Sequence, residues 1–311
     1  MLVHHYPHLP PSLGALAATT GSFDGVHRGH VAVLQTLLRV ASERCLPSCA
    51  VTYEPHPRIA LGKEPDLHLL CSSREKLRLL ASQGVDHAVV IPFTQALAGM
   101  SPDDFFASYL VNALHTQALV VGFDHSMGKG TSANFEKIRA MGNRHGVAVH
   151  VVNPYLRGDL KVSATQIRTA LQQGDVAAAN DMLGYPYAIS GEVVKGRQIG
   201  RTIGYPTANI RLDFAQKVLP KDGAYAVHVL LNGKRYGGML NVSMGALNHE
   251  GALCVEVHMF NFSAEIYGST LTICLVGRLR NVAPMPSLDA LKAQLGRDAL
   301  QAKQLLPDTL R

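Results

Sequence analysis

Gly21-Ser22-Phe23-Asp24-Gly25-Val26-His27-Arg28-Gly29-His30 lies between an apolar run at residues 14–20 and an amphipathic run from about His30 to Cys45. The first run reads as a strand. The second sets Val33, Leu34, Leu37, Leu38 and Ala41 at the three-and-four spacing that buries one helical stripe. A strand that turns into a helix through a glycine-rich loop puts that loop at the carboxyl edge of a sheet, where ligands of open α/β sheets collect. Gly21, Gly25 and Gly29 let backbone amides approach a ligand, and the helix N-terminus favours an anion. His27 and His30 add donors that strengthen when protonated beside phosphate. Two histidines flanking Arg28-Gly29 at a helix start point to an anion site rather than to satisfied structural side chains.

The same alternation continues outward. Strands are expected at Cys49–Tyr53, Ala88–Phe93, Ala118–Gly122 and Val147–Val152, and helices at Arg74–Gln83, Phe135–Arg144 and Ser163–Gln173. Another helix opens at Ser101-Pro102-Asp103-Asp104, where a capping serine, a first-turn proline and two acids suit the helix dipole. This rhythm implies a parallel sheet covered on both faces. Past about Gly184 the pattern changes. Ala224–Leu231, Tyr236–Asn241, Leu253–Phe262 and Leu271–Gly277 are strand-like runs separated by turn residues such as Asn232-Gly233, which suits an antiparallel barrel. A last helix, about Ser287–Leu306, carries Leu288, Leu291 and Leu295. The expected fold class is therefore α/β plus all-β, with domains over residues 1–183 and 184–311.

Composition narrows the function. A chain of 311 residues with 47% hydrophobic and 17% charged residues is neither disordered nor a small stapled scaffold. No run approaches the roughly eighteen apolar residues of a membrane helix, and His4, His5 and His8 among prolines make no signal segment. We expect a cytoplasmic protein without a membrane partner. Cys45, Cys49, Cys71, Cys254 and Cys274 match neither a disulfide nor a zinc spacing. The net charge of +6 suits an anionic partner, but no basic block or aromatic-interleaved stripe is present. Phosphorylated small molecules fit at least as well as nucleic acid, and no nucleic-acid partner is expected.

Lys161-Val162-Ser163-Ala164-Thr165-Gln166-Ile167-Arg168 precedes the last helix of the first half. Ser163 with Gln166 also satisfies a capping box, so the segment alone is ordinary helix chemistry. Arg168 tilts the balance, because a guanidinium one turn into such a helix can clamp phosphate. Together the Gly-x-Phe-Asp-x-x-His-x-Gly-His and Ser-x-Thr-x-Ile-Arg strings resemble the signatures of the nucleotidylyltransferase superfamily. With Glu54-Pro55-His56-Pro57 they resemble the N-terminal module of bacterial bifunctional riboflavin kinase/FMN adenylyltransferases over residues 12–180. The resemblance implies a Rossmann-like domain in which the FMN phosphate attacks the α-phosphorus of ATP and pyrophosphate leaves. It implies that His27, His30 and Arg168 are catalytic, and that Gly21, Phe23, Asp24, Gly29, His56, Ser163 and Thr165 hold nucleotide. Where the family usually reads Gly-x-Asp/Asn-Phe-x-Phe-Gly, this chain has Gly122-Phe123-Asp124-His125-Ser126-Met127-Gly128. Asp124 and Met127 are the implied flavin contacts, and each lost ring weakens packing by about 0.5–1.5 kcal/mol.

In the second half, Gly196-Arg197-Gln198-Ile199-Gly200-Arg201-Thr202-Ile203-Gly204 runs into Tyr205-Pro206-Thr207-Ala208-Asn209. In an extended segment Thr207 and Asn209 face one way and can share a hard cation such as Mg²⁺. Cys254-Val255-Glu256-Val257-His258 sets Glu256 and His258 on one strand face, so Glu256 is either a partner for an arginine or a general base. These strings, with Ile266-Tyr267-Gly268, resemble the riboflavin kinase module of the same family over residues 185–300. The resemblance implies that Gly200, Thr207 and Asn209 bind Mg-ATP and that Glu256 activates the ribityl hydroxyl. The usual Asn-Ile-Gly-x-x-Pro-Thr turn is replaced by Asn241-Val242-Ser243-Met244-Gly245-Ala246-Leu247, and the family's Lys-Phe pair after Arg280 is missing. The expected enzyme takes riboflavin, FMN and ATP as substrates and gives FAD, with Mg²⁺. A single-activity adenylyltransferase whose barrel only binds flavin, and a non-catalytic flavin- or nucleotide-responsive regulator, stay open at this point.

Overall fold

The computed structural model describes residues 1–10, 13–123, 135–196, 198–244 and 253–306. It divides into two compact units, Met1–Ala164 and Thr165–Arg311. The first is built on six strands, β1 (Leu2–His5), β2 (Leu16–Thr20), β3 (Ser48–Glu54), β4 (His87–Pro92), β5 (Thr116–Gly122) and β6 (Ala148–Val152). Their order is β1-β4-β3-β2-β5-β6, with every neighbouring pair parallel. The helices are α1 (Arg28–Glu43), α2 (Pro57–Ala60), α3 (Ser73–Ser82), α4 (Gln95–Gly99), α5 (Pro102–Phe105) and α6 (Phe135–His145). α5 opens where expected, with Ser101 Oγ accepting from Asp104 N, and runs on as a π-helical segment over Phe106–Ala113. A small hairpin of β7 (Leu156–Arg157) and β8 (Leu160–Lys161) ends the unit.

Both faces of the sheet are covered, and the period of two along each strand sorts side chains into two cores. Leu16, Ala18, Val51, Val89, Leu119 and Val121 pack in one. Ala17, Ala50, Ala118 and Val120 pack in the other, against Leu34 and Leu37 of α1. From β2 the chain builds β3 and β4 on one side and β5 and β6 on the other, so the carboxyl end of β2 is the topological switch point. The loop from Gly21 to His27 occupies that point.

The second unit begins one residue into α7 (Ala164–Gln173) and continues with α8 (Val176–Leu183), which ends on Gly184 at φ 86°. Its strands are β9 (Ala188–Val194), β10 (Ala208–Leu212), β11 (Gly223–Leu231), β12 (Lys234–Met244), β13 (Leu253–Met259) and β14 (Thr270–Arg280). They close into an antiparallel barrel in the order β10-β13-β12-β11-β14-β9. A short α9 (Ile199–Thr202) follows β9, and α10 (Leu288–Leu305) packs on the barrel. Asn232 and Gly233 have φ of 50° and 76°, the pair of positive values that a tight hairpin between twisted strands demands. α8 is fastened by Asn180, which donates to Leu275 O at 2.9 Å and accepts from Tyr187 N at 2.7 Å.

α10 is tied to β14 by one ion pair. Arg280 Nε lies 3.0 and 2.9 Å from the two oxygens of Asp298, whose carboxylate is buried and also accepts from Gln294 at 2.7 Å. Removing one partner of such a pair strands the other away from water. Asp298→Ala is expected to lower barrel stability by about 3 kcal/mol in a denaturant melt. A change below about 0.5 kcal/mol, the range of an ordinary surface substitution, contradicts this.

Candidate active sites

The loop after β2 is held in an unusual shape by its own residues. Gly21 N donates to Val51 O at 3.0 Å, continuing the ladder one residue past β2. Phe23 and Val26 take positive φ of 49° and 36°, Gly25 takes 75°, and the Phe23 ring is buried beside Gly21, 3.3 Å from where a Cβ there would stand. Asp24, also buried, fixes the turn, because its Oδ1 accepts from Leu70 N at 2.9 Å and Cys71 N at 3.2 Å. Gly25 N in turn donates to Cys71 Sγ at 3.0 Å. The geometry gives Asp24 the work of shaping the loop. Asp24→Ala unpairs two buried amides and is expected to cost about 1–3 kcal/mol and to cripple the loop's chemistry while leaving the barrel's untouched. Separate assays of the two activities check it, and equal loss of both contradicts it.

His27 caps α1, its Nδ1 accepting from His30 N at 3.4 Å, which leaves Nε2 to carry the proton. The His27 and His30 rings stack at 3.8 Å with 18° between their planes, and Phe23 meets His30 edge-on at 5.2 Å. A Cβ at Gly29 would sit 3.1 Å from the His27 ring and 3.5 Å from Val162 O. Glycine is therefore needed there, and the segment leading to Ser163 runs past the start of α1. His30 Nδ1 is buried and meets no hydrogen-bond partner among the described residues. Burial first, then the neighbouring His27 and Lys76, hold the His30 imidazole well below the usual histidine range, so it is neutral near pH 7.

Lys76 of α3 was not singled out by the sequence. Its side chain is only 6% exposed, and Nζ donates to Tyr53 O, near the end of β3, at 3.2 Å. His56 follows the same strand, capping α2 through a 3.3 Å bond from Arg58 N. Thr165 is exposed and Arg168 buried on α7, which is grouped with the second unit. Asp124 and Met127 lie outside the described residues.

In the barrel, the strand register brings the second set together. Asn209 of β10 and Asn241 of β12 are both direct cross-strand partners of Glu256 on β13, one on each side. The three polar side chains, with Thr207 and His258, line a cavity of 490 Å³ that also touches Arg280 and Leu291, Leu295 and Asp298 of α10. A second cavity of 330 Å³ lies between Gln198, Arg201, Thr207, Val257 and the Ile266–Tyr267 loop. Thr207 lines both. The glycine loop is shaped around this strand, since a Cβ at Gly196 would collide with the Asn209 carboxamide and one at Gly200 with Tyr205 O. His258 Nδ1 donates to Pro206 O at 2.8 Å, fixing the entry to Thr207. Gln198 Nε2 donates to Tyr267 Oη at 3.1 Å across the second cavity. Asn241 is a member of this row that the sequence reading placed at a strand end and in a turn but did not assign to a site.

The comparisons with known proteins follow the same division. The FAD synthetase family matches residues 10–166, and the riboflavin kinase family matches residues 183–306. Bifunctional riboflavin kinase/FMN adenylyltransferases from Escherichia coli K12 and Haemophilus influenzae are each 37% identical to the chain, covering 92% and 94% of it and 91% and 94% of themselves. The chain belongs to the bifunctional riboflavin kinase/FMN adenylyltransferase family. The Bacillus subtilis member is 34% identical over 91% of the chain and 90% of its own length. A crystal structure described as a macrolide-efflux protein from Streptococcus pneumoniae superposes with a TM-score of 0.89 at 30% identity, covering 97% of this chain and 99% of that one. Among the described residues no helix is long and apolar enough to cross a membrane. For a bifunctional riboflavin kinase/FMN adenylyltransferase, the histidine loop falls in the FAD synthetase match and the Asn209-Glu256-Asn241 row in the riboflavin kinase match.

Proposed function

We infer that the chain makes FMN from riboflavin in its barrel and FAD from FMN at its histidine loop, each step consuming ATP. The observation that carries the reading is the presence of two separately built polar sites, one at the switch point of the parallel sheet and one in the barrel. We place the domain boundary at residues 183/184, supported by the riboflavin kinase match beginning at 183.

At the first site the ATP phosphates lie over the N-terminus of α1, cradled by Gly21, Phe23, Asp24 and Gly29. His27 and His30 donate to them, with His56, Ser163, Thr165 and Arg168 as further nucleotide contacts and Asp124 and Met127 toward the flavin. The FMN phosphate is already an anion, so an oxygen of it attacks the α-phosphorus without a base, and the bond to pyrophosphate breaks. The protein's contribution is alignment and neutralisation of the charge that gathers on the leaving pyrophosphate. The open Nδ1 of His30 supports this.

At the second site Glu256 takes the proton of the ribityl hydroxyl as that oxygen attacks the γ-phosphorus, and ADP leaves. Asn209 and Asn241 orient the carboxylate from both sides, Gly200 lets the loop close over nucleotide, and Thr207 stands where the two cavities meet, as a residue between two substrates must. Thr207 and Asn209 offer hard neutral oxygens in one cavity, and no group of three or more acidic, histidine or cysteine ligands is found among the described residues. That donor set fits Mg²⁺ held chiefly by substrate phosphates, where it would supply charge neutralisation on the transferring phosphoryl group. A barrel that binds flavin without turnover has no use for a carboxylate flanked by two carboxamides. Incubating the chain with riboflavin, ATP and Mg²⁺ and separating the flavins by chromatography tests the reading. FMN followed by FAD is expected, whereas FAD from supplied FMN alone reduces the barrel to a binding module.

A further inference from the structure

ATP binding gives His27 and His30 their work, but a buried ammonium that acts electrostatically on His30, that of Lys76, has no task in it. Lys76 is only 6% exposed, yet among the described residues no carboxylate stands within ion-pairing distance of its Nζ, which donates to a neutral backbone carbonyl, Tyr53 O at 3.2 Å. Lysines are almost never buried this deeply unless paired, because an ammonium away from water is costly. The titratable groups that act on it are Cys71 and Asp24 from the loop layer and Glu54 from the end of β3, and it acts in turn on His30 of α1. Asp24 spends one oxygen on the amides of Leu70 and Cys71, and Glu54 is exposed. Across the loop, His30 keeps Nδ1 buried and open, and His27 stacks on it at 3.8 Å. Three basic side chains thus crowd the carboxyl edge of β2 and β3.

We propose that Lys76 is a positioning residue of adenylyl transfer, a fixed positive charge anchored on Tyr53 O against which the two imidazoles and the incoming phosphates are set. This rests on the reading of the histidine loop as the ATP site. The crowding keeps His30 neutral while the site is empty, because burial, His27 and Lys76 all disfavour a further positive charge there. Lys76 is itself held below the usual lysine range by burial, opposed by Cys71, Glu54 and Asp24. Phosphates entering the site supply the missing negative charge, so nucleotide binding draws a proton onto His30. The free site is thereby protected from collapse onto its own charges, and donors become strong only when a phosphate is there to accept from them.

The test uses the full chain and three readouts. In calorimetry near pH 7 in buffers of different ionisation enthalpy, ATP binding is expected to take up a proton in the native chain, and this uptake is expected to vanish in His30→Asn. In Lys76→Met the His30 resonance is expected to titrate at higher pH than in the native chain, because a like charge has gone. Adenylyl transfer from supplied FMN should fall by about 100-fold, with Lys76→Arg restoring most of it and riboflavin phosphorylation unchanged as a measure of folding. ATP binding without proton uptake, or a folded Lys76→Met chain whose His30 titration and adenylyl transfer match the native ones, overturns the proposal. If Lys76→Met does not fold, the calorimetry on the native chain decides alone. ATP affinity indifferent to His27 and His30 would instead sink the site reading itself, a result recognisable because proton uptake would then be unaffected by His30→Asn.

Discussion

A chain carrying His27→Ala and His30→Ala together should still turn riboflavin into FMN at close to the native rate while its conversion of FMN to FAD falls by about 10³-fold or more. The expectation follows from geometry. The stacked rings at the start of α1 are donors that can follow charge onto a departing pyrophosphate, and each such donor is worth on the order of 10²–10³ in rate. The double substitution also leaves the loop's scaffold in place, because Asp24 still holds Leu70 N and Cys71 N and Gly21 still pairs with Val51. Time courses of flavin products, with FMN accumulating from riboflavin, read the result. Unaltered FAD formation would remove the histidines from the chemistry.

Glu256→Gln should do the opposite, slowing FMN formation by about 10³-fold and sparing the conversion of supplied FMN to FAD. Glutamine keeps the size of the side chain, and the strand register that sets Asn209 and Asn241 on either side is unaltered. What is lost is the ability to take the hydroxyl proton. A structural carboxylate paired with an arginine predicts a different outcome, a loss of stability with the rate per folded molecule preserved. Melting curves alongside product assays separate the two.

Much of this was legible in the sequence because the deciding signals are local. The strand, glycine loop and helix from residue 14 to 45 announce themselves by periodicity, and His27 with His30 by a three-residue spacing on a helix start. Asn232-Gly233 fixes its hairpin by the positive φ that both residues take. Other features depend on partners distant in the chain. β1 reads as a polar segment around His4 and His5, and becomes a strand only because His87–Val90 of β4 pairs with it. α8 is a short run of small residues whose stability comes from Asn180 reaching Leu275 and Tyr187. The structural task of Asp24 needs amides 46 and 47 residues away, so the loop's own sequence does not show it. Lys76 reads as one more polar residue on an amphipathic helix, and only its bond to Tyr53 O, 23 residues back in the chain, sets it apart. Asn241 gains meaning only from the register that places it opposite Glu256.

The independence of the two sites is tested most directly by mixing. The His27→Ala, His30→Ala chain and the Glu256→Gln chain, each unable to carry riboflavin through to FAD alone, are combined with riboflavin, ATP and Mg²⁺. The account predicts that FAD appears in the mixture, the first chain releasing FMN that the second adenylylates. A mixture as inactive as either component, with both proteins folded, would contradict it.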